Sequence, residues 1–483
     1  MNFASLPETR AGLHTVADQA SEFLESLSTR HACGTITPME LFRAMDRPFP
    51  EDGSPADLVI RELINDVERG LVASASPRYF GFVVGGATRA SLMADWLTSA
   101  WDQNAQVYTT SPAAATAEVI VARWLIELLG LPAQSSVGFV TGCQMANFTA
   151  LAIARNAVLE RAGWDLGKQG LFGAPPVVVL MSECGHATVR SALLMTGVGS
   201  AQIRDIQADS EGRMRLPALE KEIRRATGQP MILSLQAGNV NSGAFEPIDA
   251  IVELVRAENA WIHIDGAFGL WAAVSPELRI HLQGVKCADS WATDAHKWLN
   301  VPYDSGIVIV RNAAQHRRLK TSRCSYAGEE SEDRRDGSTW VPDNSRRARA
   351  FVLYAVLREL GRSGVREVVE RCCRLARQFA FGVARLPCAQ VLNDVVLNQV
   401  LVRFSSPELN DCDAFQREIA GHVQEEGRCW LGTTTWHGQV VLRASICNWS
   451  TTEDDISMLL EALAQAVRKV MADAPSLRVD AGS

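Results

Sequence analysis

The sequence lacks several features that would place it in well-known classes of protein. No apolar run approaches the roughly 20 residues that cross a bilayer, and the first residues have no basic segment followed by an apolar stretch. Positive charge is scarce, since 47 Lys and Arg stand against 55 Asp and Glu, a net charge of −8. Phosphate backbones need a clustered basic surface. We therefore expect a cytoplasmic protein with no membrane or nucleic-acid partner.

The cysteines also lack the pattern of a disulfide framework or a metal site. There are eleven of them, an odd number without regular spacing, which favours a reducing compartment. Cys372 and Cys373 are adjacent, a poor spacing for metal ligands, and no metal is expected. A length of 483 residues with 47% hydrophobic residues predicts a large core and at least one smaller lobe.

A lysine between two short apolar strands is the first candidate for chemistry. Lys297 lies between His296 and Trp298, and strands are predicted over 289–293 and 306–311. Partial burial would lower the pKa of such a lysine, so that its amine can attack an aldehyde. A surface lysine without a role is the alternative.

A second stretch supplies a partner for this lysine. Residues 260–269, AWIHIDGAFG, form an apolar strand that ends in Asp265 and small residues. The carboxyl ends of strands are where open α/β sheets bind ligands. If the ligand is pyridoxal 5′-phosphate (PLP), Asp265 would pair with its ring nitrogen. A helix cap or turn residue is the alternative for Asp265 alone.

At this point the chain resembles the group II pyridoxal-dependent decarboxylases, relatives of aromatic-amino-acid and glutamate decarboxylases with fold type I. The motifs follow the order of that family: SPAAATAEVIVARWLIELLGLP (111–132), GFVTGCQMANFTALAIARN (138–156), ECGHATVRSA (183–192), HIDGA (263–267) and DAHKW (294–298). The similarity extends from about residue 76 to about residue 471.

The resemblance agrees with the pattern of predicted elements. Apolar strands alternate with helical segments over 138–310 and predict a mostly parallel sheet covered on both faces. The family implies an α/β fold with a seven-stranded sheet and a smaller C-terminal α+β domain. The expected division is an N-terminal helical arm (1–75), a large PLP-binding domain (76–344), a small domain (345–471) and a flexible tail (472–483). It also implies a homodimer with shared active sites.

The turn after the predicted strand at 138–140 is expected to bind the cofactor phosphate. It contains Gly142, Cys143 and Gln144 and opens a helix, where free N–H groups and the helix dipole favour an anion. The family usually has glycine or alanine, then serine or threonine, at the positions of Cys143 and Gln144. A helix N-terminus lowers a thiol pKa, so a nucleophilic Cys143 is the alternative, which phosphate at this position disfavours.

Further cofactor contacts come from the resemblance. His186 matches the histidine that stacks on one face of the pyridine ring, and Ala267 matches the small residue on the other face. His296 is expected to reach the phosphate. Asp294, so close to that dianion, is expected to face a backbone donor or a cation. Asn239 lies where the family has a threonine-rich turn and is expected near the ring.

The substrate residues are assigned in the same way. Tyr79 and Phe80 match a segment that lines the family's pocket, although a buried edge would have the same composition. Arg443 matches an arginine that binds a carboxylate in many fold type I enzymes, with a scaffold ion pair as the alternative. Tyr326, in the charged stretch 322–344, is the candidate for a loop tyrosine that protonates the product.

These residues imply a PLP-dependent decarboxylase that removes the α-carboxylate of an L-amino acid, aromatic or apolar, as CO2 and leaves an amine. Lys297, His186 and Tyr326 are its candidate catalytic residues. A PLP enzyme of the same fold that cleaves another bond is the alternative, as a carbon–carbon lyase, an aldehyde synthase or an aminotransferase, because cofactor residues do not fix which bond is aligned. A non-enzymatic relative is disfavoured by the intact Lys297, Asp265 and His186.

Overall fold

A seven-stranded sheet forms the centre of the computed structural model, which describes residues 6–320, 334–407 and 409–473. The strands are β1 (Ser136–Val140), β2 (Val178–Ser182), β3 (Ile203–Ile206), β4 (Met231–Gln236), β5 (Trp261–Asp265), β6 (Ser290–Asp294) and β7 (Gly306–Val310). Their order is β1-β7-β6-β5-β4-β2-β3. Only β7 runs opposite to the other six strands, so the expected mostly parallel sheet is confirmed.

Helices cover both faces of this sheet. The α-helices in the described part of the chain are α1 (Leu6–Ser26), α2 (Pro38–Met45), α3 (Ala56–Val67), α4 (Arg89–Trp101), α5 (Pro112–Leu129), α6 (Cys143–Arg161), α7 (Leu166–Gln169), α8 (Ala187–Met195), α9 (Leu216–Ala226), α10 (Ile248–Val255), α11 (Ala295–Trp298), α12 (Ala313–Arg317), α13 (Ala350–Val383), α14 (Cys412–Glu426) and α15 (Glu453–Asp473). The residues of β1, β2, β4, β5, β6 and β7 are buried throughout. Strands buried on both faces are continuous apolar runs, which is why the sequence pattern revealed them.

A smaller sheet follows in the C-terminal part. It contains β8 (Ala389–Val391), β9 (Gln399–Phe404), β10 (Gly432–Trp436) and β11 (Gln439–Ser445) in the order β10-β11-β9-β8. All three pairings are antiparallel. This is the expected α+β lobe. The exact domain boundaries remain a prediction, and residues 474–483 of the expected tail lie outside the described residues.

The topology brings the ends of several strands to one edge of the large sheet. Gln236 at the end of β4 is paired with Asp265 at the end of β5, and Asp265 with Ala292 in β6. Asp294 at the end of β6 pairs with Gly306, which in turn pairs with Val140 at the end of β1. This edge therefore collects the segments that carry the predicted cofactor residues.

The N-terminal helices leave apolar side chains in solvent. Helices α2 and α3 contain no buried residue, and Met39, Phe42 and Leu63 are among the exposed side chains. Within the described ranges, no helix has the length and apolar character that a membrane crossing requires.

Candidate active site

The candidate catalytic lysine forms an ion pair with a buried carboxylate. Lys297 lies in α11, directly after β6, and its Nζ is 3.1 Å from Oδ2 of Asp294. Burial by itself lowers the pKa of Lys297, but the negative charges of Asp294 and Asp265 outweigh it, so the pKa is raised. The lowered lysine pKa expected from the sequence is therefore wrong, because the strand end places a carboxylate beside the amine.

Asp294 also satisfies the N-terminus of α6. Its Oδ1 accepts a hydrogen bond from the backbone N–H of Cys143 at 2.6 Å. The expectation that Asp294 faces a backbone donor or a cation is thus confirmed, and it faces both. The following N–H groups, of Gln144 and Met145, belong to a first helical turn that has no intrahelical acceptor. They remain suited to an anion outside the helix.

His296 lies over the same helix start. Its Nδ1 accepts a hydrogen bond from the backbone N–H of Ser305 at 3.2 Å, so Nε2 carries the proton of the neutral ring, 3.5 Å from Oδ1 of Asp294. Burial lowers the pKa of His296, which favours that neutral form. A Cβ added to Gly142 would lie 3.4 Å from Cε1 of His296 and 3.6 Å from Oδ1 of Asp294. The absence of a side chain at Gly142 therefore keeps a small space open between these groups.

Asp265 is surrounded by hydrogen-bond donors. Its Oδ1 accepts from the thiol of Cys143 at 3.4 Å and from the backbone N–H of Ala267 at 3.2 Å, and its Oδ2 accepts from Nδ2 of Asn147 at 3.3 Å. Burial raises the pKa of Cys143 well above its usual value. A thiol that stays protonated donates to a carboxylate and does not act as a nucleophile, which removes the alternative role for Cys143.

A buried series of hydrogen bonds connects Trp261 to Asp265 through three intermediate side chains. The indole N–H of Trp261 donates to Oγ of Ser290 at 2.9 Å, and this hydroxyl lies 2.9 Å from Nδ1 of His263. Nε2 of His263 lies 2.8 Å from Oδ1 of Asn147, whose amide nitrogen donates to Asp265. The Asp265 end fixes the direction: the Asn147 amide nitrogen donates to the carboxylate, so its oxygen accepts from Nε2–H of His263, and Nδ1 of the neutral ring accepts from the Ser290 hydroxyl. Every donor in the chain supports a charged carboxylate.

His186 and Ala267 flank this carboxylate. His186 caps the start of α8, where its Nδ1 accepts from the N–H of Thr188 at 3.3 Å and lies 2.7 Å from the Thr188 hydroxyl. Burial lowers the pKa of His186, while the charge of Asp265 acts in the opposite direction. The carbonyl of Ala267 accepts from the N–H of Asp294 at 2.9 Å, which joins the ends of β5 and β6.

The structure corrects the role predicted for Asn239. Its Nδ2 donates to the carbonyl of Cys184 and to Oε1 of Gln236, at 3.2 and 3.3 Å. Its Oδ1 accepts from the N–H groups of Asn241 and Ser242, at 2.9 and 3.2 Å. These four bonds use the whole capacity of an amide. Asn239 therefore shapes the turn after β4 and has no hydrogen bond left for a cofactor.

Arg443 reaches the same turn from the small sheet. Its Nη1 donates to the carbonyl of Val240 at 3.2 Å and to Oδ1 of Asn241 at 2.9 Å. No carboxylate within the described ranges forms an ion pair with it, so the scaffold ion pair considered from the sequence is not found. Burial lowers the pKa of Arg443, and an anion beside it would be stabilised.

The aromatic segment before α4 gives a mixed result. Tyr79 stacks on Trp430 with ring centroids 4.8 Å apart, and Phe82 contacts the same indole at 5.4 Å. Phe80, predicted to contact the substrate, is 1% exposed within the core and is corrected to a packing residue. A Cβ on Gly85 would lie 1.9 Å from the Lys297 carbonyl, so this segment passes directly beside the lysine.

Several residues of the site were not identified from the sequence. Asn147 lies one helical turn beyond Cys143, and His263 lies two residues before Asp265, on the same face of β5; these spacings were a usable signal. Trp430 comes from a distant part of the chain, and no local pattern reveals it. Tyr326 lies outside the described residues, so its predicted role is untested.

The residues at this edge of the sheet fit PLP. The start of α6, with the space above Gly142, suits a phosphate. Asp265 supplies a carboxylate for the ring nitrogen, and Lys297 supplies an amine for the aldehyde. The hydroxyl of Ser305, next to the backbone bond to His296, is buried without a hydrogen-bond partner in the described part of the chain, and a phosphate oxygen would be a suitable acceptor.

The hydrogen-bonded chain behind Asp265 predicts a proton-linked stability. Burial lowers the pKa of His263 to about 4, whereas an unfolded histidine titrates near 6.5. Between these values the unfolded state binds a proton that the folded state does not, so stability falls as pH falls, by on the order of 3 kcal/mol in total. We expect the parent protein to take up about one more proton on unfolding at pH 5 than His263→Asn does. Calorimetry in buffers of different ionisation enthalpy would measure the number of protons taken up.

The matched control for this measurement is His437→Asn, because His437 is exposed. Burial also lowers the pKa of His316, to about 3, so some proton uptake will persist in the His263 variant. Equal proton uptake by the parent protein and His263→Asn would contradict the assignment of a neutral imidazole hydrogen-bonded to Ser290 and Asn147.

Comparison with known proteins adds relatives over most of the chain. An aromatic-L-amino-acid decarboxylase from Bacillus atrophaeus is 28% identical over 96% of this chain and 97% of its own. An L-2,4-diaminobutyrate decarboxylase from Rhizobium meliloti is also 28% identical, over 88% of this chain and 84% of its own.

A solved structure shares the fold. The structure of Oryza sativa TDC with PLP and tryptamine superposes with a TM-score of 0.90, at 23% identity, over 98% of this chain and 100% of that one. The family model described as the pyridoxal-dependent decarboxylase conserved domain matches residues 38–405. Because this match covers most of the chain and contains the Lys297 and Asp265 motifs, the chain belongs to the pyridoxal-dependent decarboxylase family, whose activity is that of PLP-dependent carboxy-lyases.

Proposed function

We propose that this enzyme removes the α-carboxylate of an L-amino acid with an aromatic or apolar side chain, with Lys297 as the cofactor lysine. One observation carries the assignment of the site. The amine of Lys297, the carboxylate of Asp265 and the N-terminus of α6 converge at one edge of the sheet, joined through Asp294 and Cys143. Each matches a different functional group of PLP.

Different residues would hold different parts of the cofactor. Lys297 would bind its aldehyde, and the phosphate would lie against Gly142, Cys143 and Gln144, with the Nε2 proton of His296 directed at it. PLP, when bound, supplies an electron sink for the bond that breaks.

The other side chains set charge and orientation. Asp265, which accepts hydrogen bonds from Cys143, Asn147 and Ala267, would keep a proton on the ring nitrogen. His186 and Ala267 would confine the ring from its two faces. His186 is held as a neutral ring by burial, with Nδ1 turned towards Thr188.

The substrate would be held at both ends. Arg443, half-buried and adjacent to the turn after β4, is the candidate for its carboxylate. Phe82 and Trp430 would form an aromatic surface for its side chain, with the buried Tyr79 stacked on the same indole. The similarity to the aromatic-L-amino-acid decarboxylase from Bacillus atrophaeus supports an aromatic substrate. Because another relative is an L-2,4-diaminobutyrate decarboxylase, an amino acid with a cationic side chain is the comparison substrate.

We also propose that the enzyme is a cytoplasmic homodimer with the domain division 1–75, 76–344 and 345–471. The exposed apolar residues of α2 and α3 support a partner subunit against the N-terminal arm. The cysteines within the described residues are free, in keeping with a reducing compartment.

An assay of products tests the function. We expect the purified enzyme with PLP to release CO2 and form the matching amine from L-tryptophan, L-tyrosine or L-phenylalanine, faster than from L-2,4-diaminobutyrate. Lys297→Ala should lose the visible absorbance of bound PLP and fall in turnover by at least about a thousandfold, because the nucleophilic amine is gone.

The control for that assay is Lys221→Ala, which removes a lysine on the distant helix α9. If the enzyme shows the absorbance of bound PLP but releases CO2 from no amino acid, the decarboxylase proposal is wrong and the proposed cofactor site still stands. Formation of an aldehyde in place of the amine would favour the same-fold alternative.

The ion pair between Lys297 and Asp294 leads to a prediction about pH. Only a neutral amine reacts with the aldehyde of PLP, and Asp294 raises the pKa of Lys297. In Asp294→Asn the lysine pKa falls, so the pH at which apoenzyme recombines with PLP at half its maximal rate should move down by about one unit. Stopped-flow absorbance would measure it.

Asp304→Asn is the matched control, since Asp304 pairs with Arg349 at 2.8 Å. An unchanged pH midpoint in Asp294→Asn, with the apoenzyme still folded, would show that Asp294 does not set the charge of Lys297.

The assembly is tested at the N-terminal arm. Phe42 is 63% exposed on α2 and Leu63 is 49% exposed on α3. We expect Phe42→Glu combined with Leu63→Glu to convert the dimer to monomer or weaken it at least about tenfold, measured by sedimentation velocity, because both charges would be buried in the interface.

Phe172→Glu serves as the control, because Phe172 is 99% exposed outside the arm. A monomeric parent enzyme, or a double variant with an unchanged dimer constant, would contradict the proposal.

A further inference from the structure

A cavity lies at the opposite end of the large sheet from Lys297. It encloses about 610 Å³ and is lined by α5, by Ser135 before β1, by Lys286 before β6 and by Trp340. In the strand register, Ser136 pairs with Val310, and Val310 pairs with Ser290, the first residue of β6. Asp294 is at the other end of β6, so roughly 13 Å of strand separates the two places.

The wall of this cavity carries concentrated positive charge. Arg123, Lys286, Arg317 and Arg335 all line it. Glu127, which also lines it, is paired with Arg362 at 2.7 Å. In a chain with a net charge of −8, four cations around one cavity form a local field that attracts anions.

Two of the cations are held against an aromatic wall. The guanidinium carbons of Arg317 and Arg335 lie 4.8 and 4.6 Å from the centre of the Trp340 ring, within the range of cation–π contacts. Arg335 also lies 3.8 Å from Oε2 of Glu118. These contacts hold the two groups in place before any ligand arrives, which lowers the entropic cost of binding.

The wall also contains buried donors that need an acceptor. Nε1 of Trp340 and Oγ of Ser135 have no hydrogen-bond partner within residues 6–320, 334–407 and 409–473, and the two residues are only 6% and 9% exposed. An indole N–H can donate but not accept, and leaving it unsatisfied costs about 1–3 kcal/mol. An anionic oxygen admitted beside Trp340 would supply the acceptor that its indole N–H lacks.

The rest of the wall is apolar. Val119, Ala122, Ile126 and Leu131 supply hydrocarbon surface beside the charged groups. The volume is within the usual range for small-molecule sites, and an apolar wall with a few convergent polar groups is their usual make-up.

We propose that this cavity binds a small organic anion. The ligand would have an apolar or aromatic hydrocarbon part and one carboxylate or phosphate group. The anionic group would contact Arg317, Arg335 and the Trp340 indole, and the body would lie along α5. The site is separate from the PLP site and does not depend on the decarboxylase activity.

Ligand-observed NMR on the PLP-loaded enzyme tests the proposal. Benzoate and phenyl phosphate are the anionic probes, and benzamide is the neutral probe of nearly the same shape as benzoate. We expect saturation transfer to both anions but not to benzamide, with affinity that falls as salt rises. Stronger binding of one anion would decide between carboxylate and phosphate.

Variants locate the binding. Arg123→Glu reverses an exposed charge at the cavity and should weaken benzoate binding about tenfold or more, and Trp340→Phe, which removes the indole donor, should weaken it as well. Arg385→Glu is the matched control, since Arg385 stacks on the exposed Phe381 at 3.9 Å outside the cavity. Lys297→Ala should bind benzoate like the parent enzyme.

Three results would overturn the proposal. They are equal binding of benzamide and benzoate, unchanged affinity in both Arg123→Glu and Trp340→Phe, and no detectable binding of either anion at millimolar concentration. Loss of benzoate binding in Lys297→Ala would instead place the probe in the catalytic site and equally reject the distal cavity.

Discussion

The buried carboxylate of Asp294 is the point on which the site depends. A charge in the interior is tolerated only when it is paired and hydrogen-bonded, and Asp294 obtains both from different elements. The N-terminus of α6 supplies an N–H group, and α11 supplies the ammonium of Lys297. Removing the ammonium would leave the buried carboxylate without its ion pair to Lys297. The carboxylate therefore fixes the position of the lysine relative to the helix that would receive the phosphate.

Asp265 is stabilised in a different way. It has no ion pair at hydrogen-bond distance in the described part of the chain, and its charge is supported by neutral donors from Cys143, Asn147 and Ala267. Neutral donors favour the charged carboxylate without contributing a positive charge that would compete with a protonated ring nitrogen. The two carboxylates thus have separate roles: Asp294 holds the lysine, and Asp265 stays available to a cationic partner.

The sequence predicted the elements whose patterns are local. The apolar strands between 138 and 310 were visible because both faces of the sheet are covered, and Asp265, Lys297 and His186 lie at or shortly after strand ends. The role of Asn239 was misjudged because its hydrogen bonds depend on Cys184, 55 residues away. Phe80 and Phe82 are close in sequence, but Phe80 is buried in the core whereas Phe82 is exposed and stacks on Trp430, which no local pattern distinguishes.

The two proposed anion sites of this enzyme would discriminate between ligands differently because they are built from different groups. The site at α6 uses backbone N–H groups, a helix dipole and short side chains on buried strands, and these cannot move far. It therefore selects a phosphate at one fixed distance from Lys297. The distal cavity uses four long cationic side chains, three of them exposed. Arg317 and Arg335 are held against Trp340, whereas Arg123 and Lys286 can follow anions of different size. Rigid donors favour selectivity, whereas flexible charges favour breadth and a stronger dependence on salt.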